Sequence, residues 1–223
     1  MAALPASPVL WLEPSANKSL QLNKPVSLFQ EASIDLRDGE LIHHSPWLSE
    51  REANELFQQL FEQLDWQQLQ VKIFGKTHNS PRLSALYGDP GISYRYSSMT
   101  HQALAWHPLL LELNQRLSNE FNLTFNSTLA NLYRDGQDAM GWHADDEPEL
   151  GINPTIASIN LGETRIFKFK HRATNERYDL PLQHGDLLIM KGKLQHHWMH
   201  AILKQNTTLN PRINLTYRMI NNV

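Results

Sequence analysis

The stretch Asn131-Leu-Tyr-Arg-Asp-Gly-Gln-Asp-Ala-Met-Gly-Trp-His-Ala-Asp-Asp146 reads as a strand, a tight turn and a second strand. In an extended segment, residues two apart point to the same side. His143 and Asp145 therefore direct one imidazole and one carboxylate at a single point. A third ligand from elsewhere would close a facial site of two histidines and one carboxylate with open positions, the arrangement that suits non-haem Fe(II). The candidates are His184, His196, His197 and His200, in Leu182-Gln-His-Gly-Asp186 and Gln195-His-His-Trp-Met-His200, and spacing alone does not choose among them. On the strand entering the turn, Asn131 and Tyr133 share parity and offer an amide and a phenol.

The C-terminal stretch Arg212-Ile-Asn-Leu-Thr-Tyr-Arg218 alternates in the same period. Arg212, Asn214, Thr216 and Arg218 line one face; Ile213, Leu215 and Tyr217 line the other. If the polar face looks into a barrel, its two guanidinium groups need anions, because unpaired buried charge is costly. A small dicarboxylate would satisfy them through bidentate hydrogen bonds.

Working outward, the period after Phe121 stays near two, with strands expected at 124–134, 155–161, 164–170, 177–182, 186–191, 198–203 and 211–220. Before it the period is helical. Ala53, Leu56, Phe57, Leu60, Phe61 and Leu64 form one stripe, and Ser49 with Glu52 makes a capping-box pattern. A second helix is expected from about His107 to Phe121, with Leu110, Leu113, Leu117 and Phe121 on its stripe. Ser33–Leu36 and Gly39–His43 suggest a short hairpin stopped by Pro46. This order predicts an α+β domain over residues 31–223 whose second half is a two-sheet sandwich or barrel, preceded by a Pro-rich extension at 1–30.

The chain has 223 residues, 41% of them hydrophobic, enough for one substantial core. A net charge of -3 argues against binding nucleic acid through bulk positive charge, so any such contact must come from a local basic face. There is no cysteine, which excludes thiolate nucleophiles, disulfides and Cys-ligated metal, and leaves eleven histidines and many carboxylates as ligands. No apolar run has the length of a membrane span. A cytoplasmic monomer is the expectation.

In order along the chain, Asn131-Leu-Tyr-Arg-Asp-Gly136, Trp142-His-Ala-Asp-Asp-Glu-Pro-Glu-Leu-Gly151, Ile156-Ala-Ser-Ile-Asn-Leu-Gly-Glu-Thr-Arg165, Leu180-Pro-Leu-Gln-His-Gly-Asp-Leu-Leu-Ile-Met190 and Pro211-Arg-Ile-Asn-Leu-Thr-Tyr-Arg218 resemble the AlkB family. That family comprises Fe(II)- and 2-oxoglutarate-dependent dioxygenases that remove alkyl groups from nucleic-acid bases. The resemblance spans roughly residues 71–220. It implies a double-stranded β-helix (jelly-roll) core and three cofactors, Fe(II), 2-oxoglutarate and O₂. It makes His143, Asp145 and His200 the iron ligands. Asn131, Tyr133, Arg212, Asn214, Thr216 and Arg218 fall at or beside the positions that hold 2-oxoglutarate, with Arg212 on the distal carboxylate and Arg218 at the metal end. Asp146 matches an acid that reads the base.

Residues from about 71 to 100 resemble the nucleotide-recognition lid of members acting on duplex DNA. Phe74, beside Gly75 and Lys76, matches the side chain that enters the stack left by a flipped base, and Tyr94 and Tyr96 match residues lining the base pocket. Lys72, Lys76 and Arg82 are placed to hold phosphates, and Lys168, Lys170, His171 and Arg172 form a second basic cluster. The activity so implied is oxidative demethylation of bases such as 1-methyladenine and 3-methylcytosine in DNA, with release of formaldehyde, succinate and CO₂. Two rivals are an RNA- or protein-directed oxygenase with the same triad and a catalytically silent nucleic-acid-binding module; the intact triad and both arginines argue against the second.

Overall fold

The computed structural model describes residues 30–73, 76–96, 99–207 and 209–221. The extension before Gln30, and Phe74 and Gly75, lie outside the described residues, as do the side chains of Lys72 and Tyr96. The chain opens with β1 (Gln30–Leu36) and β2 (Gly39–Ser45), the expected hairpin, and then α1 (Glu50–Gln63). Six short strands follow: β3 (Gln70–Ile73), β4 (Lys76–Asn79), β5 (Leu83–Gly88), β6 (Ser93–Tyr96), β7 (Met99–Gln102) and β8 (Leu104–Ala105). After α2 (Pro108–Phe121) come β9 (Ser127–Tyr133), β10 (Met140–His143), β11 (Ile156–Gly162), β12 (Arg165–His171), β13 (Arg177–Leu182) and β14 (Leu187–Lys191). The four-residue α3 (Leu194–His197), β15 (Trp198–Ile202) and β16 (Arg212–Arg218) complete the order.

Two sheets make the frame. Eight strands run in the order β1-β2-β14-β11-β16-β9-β5-β8, and four in the order β10-β15-β12-β13. The inner faces meet over a core that includes Leu41, Ile156 and Met190 from the large sheet and Phe167, Phe169 and Ile202 from the small one. Such closure of two sheets, antiparallel but for the β5–β8 edge, is the jelly roll. The outer face of the large sheet is covered by α1 and α2, whose Leu60, Leu110, Leu113 and Leu117 pack with Ile159, Ile213, Leu215 and Tyr217. β16 thus divides its side chains between two places, as its alternation requires. Ile213, Leu215 and Tyr217 go to the helices; Arg212, Asn214, Thr216 and Arg218 go between the sheets.

Helix α1 begins where Ser49 accepts the N–H of Glu52 at 3.3 Å while the Glu52 carboxylate accepts the N–H of Ser49 at 3.2 Å. Ser49→Ala is expected to lower stability by about 1 kcal/mol, visible as an earlier midpoint in urea unfolding. One member of the expected stripe departs from it. Phe61 is exposed and stacks on Phe57 with ring centroids 5.9 Å apart, while Leu60 and Leu64 on either side of it stay buried.

The stretch expected to form one lid is divided. β3 pairs with β4 and β6 with β7 as separate hairpins. β5 between them is a full member of the large sheet, since Ala85 and Tyr87 are buried and the strand pairs along β9.

Candidate active site

Register builds the site. β10 and β15 pair with His143 opposite His200, so two imidazoles face each other across adjacent strands. Their Nε2 atoms lie 3.1 Å apart. His143 donates its Nδ1–H to the Gly141 carbonyl at 2.9 Å, which fixes the tautomer that leaves Nε2 free as a ligand. Asp145 follows just past the end of β10, where Gln195 accepts its backbone N–H at 3.0 Å. One ligand atom from each of His143, Asp145 and His200 lies within 4.8 Å of the others. Ligands at a right angle about a metal with bonds of ~2.1 Å would be ~3.0 Å apart, so the histidine separation fits a bound divalent ion.

The charge state of the triad suits a ligand set. Burial favours the neutral form of Asp145, but Arg218, whose Nη2 donates to Oδ1 at 2.8 Å, outweighs it and holds the carboxyl at about 2. Burial, then the neighbouring His143, pushes His200 down to about 3 against the pull of Asp145. Burial lowers His143 as well. Both imidazoles are therefore neutral near pH 7. A histidine kept neutral in the fold contributes stability that is complete above its unfolded value near 6.5 and is lost as pH falls toward its folded value. Chelator-treated protein is thus expected to lose stability between pH 6.5 and 5 by up to ~1.4 kcal/mol per pH unit for each such histidine. His200→Asn should remove part of that slope in urea titrations; an unchanged slope would refute the neutral assignment. Asp145 adds nothing in this window, because its contribution is lost only from about pH 4 toward 2.

Behind the triad lies a cavity between the sheets. Its polar wall is Asn131, Tyr133, Arg212, Asn214, Thr216 and Arg218, together with the three ligands, and apolar side chains such as Leu129, Leu182 and Met190 complete it. Arg212 donates through Nη2 to Asn160 Oδ1, while its Nε and Nη1 are buried and find no partner among the described residues. Burial pushes this guanidinium down to about 10, even with Tyr133 nearby to hold its charge. Such a group calls for an anion, and 2-oxoglutarate carries two carboxylates to supply one. Arg218 sits at the other end, on Asp145. The residues present therefore fit both the metal and the dicarboxylate.

Several residues lie elsewhere than the sequence reading placed them. Asp146 points outward and pairs with Arg172 at 2.6 Å. Glu147 turns inward in its stead, accepting the Tyr94 hydroxyl at 2.6 Å and leaving its second oxygen buried without a partner among the described residues. Burial raises the Glu147 carboxyl. Arg82 does not face phosphates. It is 3% exposed, with Nε donating to Asn131 Oδ1 at 2.8 Å. His171 leaves the surface cluster for the interior, on the same side of β12 as Phe167 and Phe169. Arg165 turns in as parity requires, donating to the carbonyls of Asp135, Asp138 and Leu203. Lys168 faces outward and pairs with Asp179. Lys76 is exposed on β4, and Tyr94 is buried, 5.5 Å below the Arg218 guanidinium. A cleft adjoins the cavity, sharing Leu129 with it and lined by Arg82, Ser84, Tyr94, His101 and Leu104.

The profile of the 2OG-Fe(II) oxygenase superfamily matches residues 40–218. Human DNA oxidative demethylase ALKBH2 is 38% identical over 180 residues, covering 76% of this chain and 69% of its own length. The chain belongs to the AlkB family of 2OG-Fe(II) oxygenases. AlkB-family membership brings Fe(II), 2-oxoglutarate and O₂ as its cofactors. Bovine alpha-ketoglutarate-dependent dioxygenase alkB homolog 3 is 39% identical over 180 residues, 76% of this chain and 62% of that protein. The chain spans 62–65% of the length of this relative and of bovine ALKBH2. Among solved structures, OsALKBH1 superposes with a TM-score of 0.58 at 16% identity, over 84% of this chain and all of that one, which shows the shared AlkB-type fold.

Proposed function

We propose that the protein removes alkyl groups from N-alkylated bases in DNA, such as 1-methyladenine and 3-methylcytosine. The observation that carries this reading is the inward-facing pair Tyr94–Glu147, of which Tyr94 lines the cleft next to the cavity of the triad. An unpartnered buried carboxyl oxygen beside a buried aromatic ring suits a flipped base, by hydrogen bonding to its amino edge and packing on its face. The 38–39% identity to ALKBH2 and alkB homolog 3 supports the same reading.

When bound, Fe(II) and 2-oxoglutarate would supply the oxidation with O₂ as the oxidant: one oxygen atom enters succinate as CO₂ leaves, and the other hydroxylates the N-alkyl carbon, which departs as the aldehyde, formaldehyde for a methyl group. The chain's own residues do the rest. His143, Asp145 and His200 hold the metal; Arg212 holds the far carboxylate of 2-oxoglutarate, and Asn131, Tyr133, Asn214 and Thr216 line its path. Arg218 keeps Asp145 ionised, and the buried position of the triad excludes bulk water. N1-methyladenine and N3-methylcytosine carry positive charge, which Glu147 complements and which favours its ionised form. Phe74, with Gly75 and Lys76, is assigned to the stack of the duplex, and Tyr96 to the base pocket beside Tyr94.

The test is formaldehyde release from methylated duplex and single-stranded oligonucleotides, DNA and RNA, with Fe(II) and 2-oxoglutarate. His143→Ala should abolish release; undiminished turnover in that variant would sink the reading. Phe74→Ala is expected to reduce activity on duplex more than on single strands, and equal losses would remove Phe74 from recognition.

A further inference from the structure

We infer that Arg82 and Ser84 are positioning residues for the cosubstrate: they lock the Asn131 carboxamide with its carbonyl turned away from the cavity, so that its NH₂ group faces 2-oxoglutarate. The inference rests on the assignment of this cavity to 2-oxoglutarate. It concerns a buried arginine that the sequence places among phosphate contacts and that the catalytic scheme does not use.

A carboxamide can face either way, and only its neighbours decide which end is oxygen. Here they decide it. Arg82 Nε lies 2.8 Å from Asn131 Oδ1, and a guanidinium is a donor with no acceptor, so the atom it meets must be the carbonyl oxygen. Ser84 Oγ donates to the same oxygen at 3.0 Å. The strand register makes this convergence obligatory. Asn131 stands opposite Ser84 in the β5–β9 ladder and opposite Asn214 in the β9–β16 ladder, with Arg82 just ahead of β5. With its oxygen held toward β5, the amide nitrogen makes no hydrogen bond to a described residue, and Asn131 lines the cavity that contains Arg212 and Asn214. Every polar group of 2-oxoglutarate, two carboxylates and a keto oxygen, is an acceptor. An amide presenting NH₂ donates to it; a flipped amide would set its carbonyl against an anion.

Arg82 is itself held. Its Nη1 donates to the Ala139 carbonyl at 3.3 Å, and Ala139 donates its N–H to the Pro81 carbonyl at 2.8 Å. The same guanidinium therefore ties the start of β5 to the segment leading into β10, which carries His143.

Asn131→Asp tests the orientation directly. The aspartate keeps an acceptor for Arg82 and Ser84 but replaces the NH₂ by a charged oxygen. Isothermal titration of 2-oxoglutarate into Mn(II)-loaded protein should show binding weakened by about a hundredfold or more in this variant, with the thermal midpoint of the ligand-free protein retained. Arg82→Met should weaken binding about tenfold, and Arg82→Gln, which restores one N–H donor, should recover part of that loss. In an Asn131→Ala background Arg82→Met should have no further effect. Binding by Asn131→Asp within about threefold of wild type, or an undiminished effect of Arg82→Met in the Asn131→Ala background, overturns the inference while leaving the cavity assignment intact. Failure of the wild type to bind 2-oxoglutarate overturns the cavity assignment and this inference with it.

Discussion

Asp145→Ala is expected to destabilise the metal-free protein by about 3–5 kcal/mol, besides abolishing metal binding. The reason lies in Arg218 more than in the metal. Asp145 and Arg218 are both buried, with exposures of 2% and 7%, and Arg218 Nη2 donates to Asp145 Oδ1 at 2.8 Å. The Arg218 pKa is raised because the attraction of Asp145 outweighs burial, which would lower it. Removing the carboxylate leaves a guanidinium shut away from water, with Tyr94 and Glu147 among the described residues nearby to compensate. The double variant Asp145→Ala/Arg218→Met should recover much of the loss, because it removes both charges together. Urea unfolding of chelator-treated protein measures this. A single-variant cost below about 1 kcal/mol would show that the pair does not hold the site together. One carboxylate thus serves two purposes: one oxygen accepts from Arg218 Nη2 while the other remains for the metal.

What the sequence revealed of this site follows from which facts are local. The split of β16 into a helix-facing apolar side and a cavity-facing polar side is set by parity, so it is legible in Arg212-Ile-Asn-Leu-Thr-Tyr-Arg218 alone. The capping of α1 by Ser49 and Glu52 is equally local. The choice of His200 is not. His196 and His197 lie on α3, and only the long-range β10–β15 register sets His200 against His143. The Arg82–Asn131 contact joins residues 49 positions apart, which no short pattern encodes. Two assignments were within reach of parity and were displaced by residue type. Counting from His143 and Asp145, the next inward residue is Glu147, which is where the structure has it, with Asp146 outside. Counting from Phe167 and Phe169 reaches His171, which charge alone grouped with Lys168 and Lys170. Asn160 on β11, opposite Asn214, is a similar case: its side-chain oxygen accepts from Arg212 and Asn214, and its local signal is the alternation of Ser158 and Asn160.

Arg212→Met should have the opposite effect on stability from the loss of Asp145. Arg212 is as buried as Asp145, yet among the described residues it has no carboxylate partner; it bonds Asn160 and the Tyr133 hydroxyl, with its guanidinium carbon 5.1 Å from the Tyr133 ring centroid. Two of its nitrogens are left without partners among the described residues. The ligand-free fold therefore carries a desolvated charge that only the cosubstrate can neutralise. Replacing it with a methionine of similar length removes that strain, and the ligand-free protein should gain stability, by about 2 kcal/mol. Affinity for 2-oxoglutarate should fall at least about a hundredfold, since truncating one partner of a buried charge pair costs about 2–5 kcal/mol. Thermal unfolding separates the two effects in one experiment. Wild type should melt lower without cosubstrate and rise steeply with it, because a ligand that binds only the native state stabilises by mass action. Arg212→Met should begin higher and not move when 2-oxoglutarate is added. If the variant is instead less stable than wild type without ligand, then Arg212 has a compensating partner in the resting protein, and the cavity is not held in readiness for an anion.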